Sequence, residues 1–128
     1  NDKKLPVIAW GNGACFNSPW EHYKFLNEVA SHGFLVIAIG TMPNETGEQV
    51  KGKSVSSQLL DAIDWAIDQN RNKQSIYYNK LDTTKIAVSG MSCGGLQTLE
   101  VSSDPTIAVF LPTQPAGLPV CRDLAKNT

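Results

Sequence analysis

Lys85-Ile86-Ala87-Val88-Ser89-Gly90-Met91-Ser92-Cys93-Gly94-Gly95-Leu96 decides how this chain is read. Residues 85–89 form a short apolar strand, residues 90–95 a tight turn, and residues 96–102 a short helix stopped by Asp104-Pro105. Within the turn, Gly90-Met91-Ser92-Cys93-Gly94 matches Gly-x-Ser-x-Gly, the pattern of a nucleophile elbow between strand and helix. The spacing has a steric reason. The turn forces Ser92 into a strained backbone conformation that lifts its hydroxyl, and helix and strand approach so closely that positions 90 and 94 have no room for side chains. The helix N-terminus adds backbone donors and a positive dipole end where an oxyanion would form.

Working outward, residues 5–10 read as a buried strand that ends in Gly11-Asn12-Gly13. Ser18, Pro19 and Glu21 supply a cap, a first helical position and a capping-box acid, which predicts a helix to about His32 with Gly33 ending it. Its buried stripe is Tyr23, Leu26, Val29 and Ala30. Residues 34–39 are a second strand, followed by a polar loop through Pro43, Asn44 and Gly47 as far as Ser54. Val55, Leu59, Ile63, Ala66 and Ile67 repeat at helical spacing. Asp61, Asp64 and Asp68 share the opposite face and read as a solvated row rather than a metal site. Residues 106–111 are a fourth strand; beyond it Pro112, Pro115, Gly117 and Pro119 predict an irregular tail over 112–128. Strands alternating with helices imply parallel pairing in a doubly wound sheet, with residues 1–128 a single domain.

Composition narrows the partners. The 11 basic and 12 acidic residues leave a formal net charge of -1, with no electrostatic footprint for nucleic acid or an anionic membrane. The longest apolar run, residues 34–39, is too short to cross a bilayer. The chain opens without Met or a signal-peptide pattern, so it reads as a processed or excised piece. Three cysteines and the glycosylation tripeptide Asn44-Glu45-Thr46 point to a secreted protein.

Two other motifs compete. Gly47-Glu48-Gln49-Val50-Lys51-Gly52-Lys53-Ser54 satisfies the Walker A pattern and precedes a helix. Against nucleotide binding, residues 41–46 separate it from the strand, and Glu48 would set a negative charge beside phosphate. Gly11-x-Gly13 lacks the third glycine of a dinucleotide fingerprint, because Phe16 stands there.

The runs Pro6-Val7-Ile8-Ala9-Trp10-Gly11-Asn12-Gly13, Glu28-Val29-Ala30-Ser31-His32-Gly33-Phe34-Leu35-Val36-Ile37-Ala38 and Gly90-Met91-Ser92-Cys93-Gly94-Gly95 resemble secreted fungal α/β-hydrolases. These are related to the dienelactone hydrolase, polyester-hydrolase and platelet-activating-factor acetylhydrolase groups. The resemblance implies an α/β-hydrolase fold whose C-terminal strands are missing from this chain, with Ser92 as nucleophile. It places backbone amides at Asn12, Gly13 and Cys93 in the oxyanion hole. It also implies a small-molecule or polymeric ester as substrate, no cofactor and no metal, and the remainder of the parent hydrolase as a partner.

The departures are as informative. The family order is Ser, then Asp or Glu, then His, whereas His22 and His32 both precede Ser92. His32 reads as a helix-end partner, and His22, in the first turn after the oxyanion-type loop, as a residue at the rim of the site. Asp104 reads as a cap or surface residue and Asp123 falls in the tail. A second reading is therefore a non-catalytic binding or structural protein, or a fragment, on a hydrolase scaffold. Cys93 follows the nucleophile and Cys15 lies just beyond the other oxyanion loop, so a Cys15–Cys93 disulfide is expected, leaving Cys121 as the odd thiol. Two buried free cysteines are the alternative.

Overall fold

The computed structural model describes residues 3–43 and 52–113. Four strands, β1 (Leu5–Gly11), β2 (Leu35–Ala38), β3 (Leu81–Met91) and β4 (Val109–Thr113), form one sheet in the order β2-β1-β3-β4, parallel throughout. Three helices connect them: α1 (Tyr23–Ser31), α2 (Ser57–Arg71) and α3 (Cys93–Val101). Alternation along the strands assigns the two faces. Val7 and Ala9 of β1 and Ile86 and Val88 of β3 are buried against Leu59, Ile63 and Ala66 of α2 and Val101 of α3. Ile8, Trp10 and Val36 turn the other way, toward Phe25, Leu26 and Val29 of α1.

The chain begins in the middle of the sheet, steps out to β2, then crosses back to β3. The carboxyl ends of β1 and β3 therefore flank a topological switch point, where open α/β sheets place their ligands.

Several boundaries differ from the expectation. The Ser18-Pro19 start yields first a 3-10 turn, Trp20–His22, with Ser18 Oγ accepting the Trp20 N–H at 3.3 Å, and only then α1. The His22 side chain is bonded back to Gly13, and this tertiary contact outweighs the local cap signal. Gly33 does stand in the left-handed region, at φ 97°, directly after the helix end. In α2, Leu59, Ile63 and Ala66 are buried and Asp61, Asp64 and Asp68 exposed. Val55, expected in the buried stripe, precedes the helix and is 57% exposed. Its N–H donates to Gln58 Oε1 at 2.8 Å, so it serves the helix start.

β3 is longer than residues 85–89 because Leu81 pairs with Leu5 and the chain bulges over residues 83–85 before Ile86 regains register with Val7. The fourth strand begins at Val109, since Asp104 Oδ1 accepts both the N–H and the Oγ1 hydroxyl of Thr106 and holds that residue in a turn. Strand pairing continues through Pro112 and Thr113, two residues into the expected irregular tail. Pro112 is tolerated because β4 pairs only with β3 among the described strands. Asn44, Cys121, Asp123 and most of the Walker-like segment lie outside the described residues.

Candidate active site

β3 delivers Met91, a single residue follows, and Cys93 already opens α3. The helix thus starts three residues earlier than its glycines suggest. That single residue is Ser92, exposed, at φ 53° and ψ -114°. A non-glycine side chain in this region persists only where its surroundings over-determine it. Here the surroundings are backbone. A Cβ at Gly90 would lie 2.5 Å from the carbonyl of Gly94, and a Cβ at Gly94 would fall onto the carbonyl of Gly11. β1, β3 and α3 therefore meet in glycine-to-glycine contact directly beneath Ser92. The Leu96 N–H donates to Ser92 O at 3.0 Å, while the first amides of α3, Cys93's included, have no acceptor within the helix.

The opposite wall is the turn after β1. Asn12 is 1% exposed, and its Nδ2 donates to Phe16 O and Ile39 O, both at 2.8 Å. The turn Gly13–Cys15 follows with two non-glycine residues at positive φ, Ala14 at 54° and Cys15 at 50°. Four further tethers hold it. Cys15 and Cys93 are joined in a disulfide with Cα atoms 5.2 Å apart. Lys53 Nζ donates to Ala14 O at 2.8 Å, and the Ser54 N–H to Cys15 O at 2.8 Å. The Gly13 N–H donates to His22 Nε2 at 3.0 Å.

Each expected site residue among those described thus has a place. Ser92, Cys93, Gly13 and Asn12 converge at the switch point, though the Asn12 side chain points into the protein and the Gly13 amide is engaged by His22. His22 lies beside the loop, with its Nε2 acceptor site already occupied. Its ring is half-buried, edge-on to Trp10 at 5.3 Å, and burial lowers its pKa from 6.5 against a smaller upward pull from Glu21. His32 Nε2 meets Glu28 Oε1 at 3.2 Å on the exposed end of α1. Asp104 is a turn residue, its carboxyl held below the ordinary 3.8 by the Thr106 hydrogen bonds. Among the described residues, neither a histidine nor a carboxylate is hydrogen-bonded to Ser92.

One buried group went unread in the sequence. Gln97 Nε2 donates to Ser54 O at 3.1 Å and to Ser54 Oγ at 3.0 Å, and Ser54 Oγ donates in turn to Cys15 O at 3.1 Å. The available signal was periodicity: Gly94, Gln97, Thr98 and Val101 share the inward face of α3, which marks Gln97 as a polar side chain that needs partners. Lys53 and Ser54 are thereby committed to the Ala14–Cys15 turn rather than to a phosphate loop. They also precede α2 by several residues.

Residues 8–119 match the family described as PETase, PET hydrolase-like. The chain belongs to the PET hydrolase-like family. Its parallel sheet with connecting helices is consistent with a partial α/β domain, as the family suggests. Cutinase est2 of Thermobifida alba is 36% identical over 88 residues, covering 68% of this chain and 27% of the relative. Cutinase 2 of Thermobifida cellulosilytica is 35% identical over 88 residues, covering 68% and 31%. Hydrolase ffsE of Aspergillus flavipes is 29% identical over 123 residues, covering 89% and 26%. The chain thus spans about a quarter to a third of the length of these curated relatives. Among the described residues, no helix of this PET hydrolase-like chain is long and apolar enough to cross a membrane.

Proposed function

We propose that this chain carries the nucleophile and the oxyanion elements of a serine hydrolase acting on carboxylic esters, polymeric esters included. The observation that carries the reading is Ser92 itself: exposed, at positive φ, alone between β3 and α3, and seated on three mutually touching glycines. Ser92 Oγ attacks the ester carbonyl carbon, and the negative charge gathers on the former carbonyl oxygen. The backbone N–H groups of Ala14, in the turn that Gly13 opens, and of Cys93 stabilise that oxygen, aided by the dipole of α3. The C–O bond then breaks, the alcohol leaves with a proton, and water hydrolyses the acyl-enzyme on Ser92. In the family order the acid and base follow Ser92.

The match to cutinases and to the PET hydrolase-like family supports a polymeric ester as substrate. The disulfide supports secretion, since such bonds persist in oxidising compartments; glycosylation at Asn44 would accord with it.

A specific observation favours a second reading for the chain by itself. His22 is bonded to Gly13 and His32 to Glu28, so Ser92 has no positioned base among the described residues. The isolated chain is then a binding scaffold with residual catalysis at most. The test compares a full-length parent hydrolase with its Ser92→Ala variant on a soluble p-nitrophenyl ester and a polyester film. Loss of at least about 10³-fold in both is expected; retention of rate in the variant contradicts the assignment.

A further inference from the structure

We infer that His22 is a positioning residue for the turn beside Ser92, its Nε2 holding the Gly13 peptide in place. The inference rests on the reading of Ser92 as nucleophile. The bond links residues nine apart in sequence and joins the start of the α1 segment to the end of β1. Gly13 is sandwiched: a Cβ there would lie 3.4 Å from His22 Nε2 and 4.0 Å from Met91 O, the last strand residue before Ser92. Behind the imidazole stands Trp10, which packs in turn on Phe25 with ring centroids 5.6 Å apart. The Trp10 ring, edge-on at 5.3 Å, restricts the imidazole.

The turn needs such a hold. Ala14 and Cys15 both occupy the left-handed region, which side chains adopt only under constraint. Four of the constraints do not depend on mild changes of pH: the disulfide, the Asn12 amide, the Lys53 ammonium and the Ser54 amide. The fifth does. An imidazole accepts at Nε2 only when neutral with its proton on Nδ1, and imidazolium has no acceptor. Protonation would set an N–H against the Gly13 N–H and release that peptide. Burial favours the neutral ring, and Glu21 is the charged neighbour acting against it.

The test uses the whole chain, ¹⁵N NMR and a fluorophosphonate probe. In the wild type, the His22 ring is expected as the Nδ1–H tautomer, with the Gly13 amide shift titrating in step with it. His22→Gln can restore a carbonyl acceptor that does not titrate, whereas His22→Ala restores none. Ser92 phosphonylation should fall about tenfold in His22→Ala and return to within about threefold of wild type in His22→Gln, as one backbone hydrogen bond warrants. The wild-type rate should also drop more steeply than that of His22→Gln as pH falls through the His22 titration. An Nε2–H tautomer, equal rates in wild type and His22→Ala, or parallel pH profiles in wild type and His22→Gln would overturn the inference. If the Gly13 amide follows His22 while Ser92 stays unlabelled in every variant, the placement of the turn stands and the nucleophile assignment fails.

Discussion

Cys15 and Cys93 are bonded across the switch point, 78 residues apart in sequence with Cα atoms 5.2 Å apart. One follows the turn at the end of β1 and the other follows Ser92, so the link ties together the two loops that would face an oxyanion. Closing a loop of this length restricts the unfolded chain by about 4 kcal/mol in the entropy description. Reduction, or Cys15→Ser with Cys93→Ser, should lower unfolding stability by roughly that amount in denaturant titrations. Peptide mapping without reductant should find Cys15 linked to Cys93 and Cys121 alkylatable. A linked peptide containing Cys121 would contradict this pairing.

Gly94→Ala should be far more damaging than Gly33→Ala. The first puts a methyl onto the Gly11 carbonyl, where only backbone could give way. The second meets open space and bears only the strain of φ 97°. Urea midpoints should translate into a loss of about 3 kcal/mol for Gly94→Ala against about 1 kcal/mol for Gly33→Ala. Similar losses for both would mean that the glycine contact beneath Ser92 is looser than described.

The elbow was legible because its chemistry is local: Gly90, Ser92 and Gly94 carry their meaning in their spacing. Its compactness was not. Two glycines inside a helix argue against helix by propensity, and only the packing of Gly94 on Gly11 lets α3 begin at Cys93. The apolar strands and the wet and dry faces of α2 followed from periodicity, whereas Val55 and Thr106 were claimed by side chains three and two residues away. His22, Lys53 and Gln97 acquired their partners through the tertiary fold, across 9 to 43 residues, and no local pattern encodes such pairings.

Stability should depend on pH through His22. Its folded pKa is lowered from 6.5, so the folded state binds the proton more weakly than the unfolded chain does. The contribution of the neutral ring is fully present above the unfolded value and is lost as pH falls through it toward the folded one. Asp82 and Asp104, lowered from 3.8 by bonds from Thr84 and Thr106, act in a separate and more acidic window. Denaturation midpoints between about pH 7 and pH 5 should decline in the wild type and stay flatter in His22→Gln. Identical slopes would show that His22 does not feel its burial.

Nucleotides should leave the melting temperature unchanged. Lys53 is bonded to Ala14 O and lies over the Phe16 ring at 4.9 Å, while Ser54 is buried against Gln97. A ligand stabilises only in proportion to its occupancy of the native state. A Mg²⁺-dependent rise with ATP or GTP that disappears in Lys53→Ala would point back to the Walker-like segment.

The most direct measurement of the central claim is to trap Ser92. The folded chain, incubated with excess fluorophosphonate and digested for mass spectrometry, should gain one adduct on Ser92, slowly because no base among the described residues is positioned beside it. Ser92→Ala should gain none, and turnover of a p-nitrophenyl ester by the same preparation should be poor. An adduct on another residue, equal labelling of the Ser92→Ala variant, or no adduct at all on the folded chain would contradict the account.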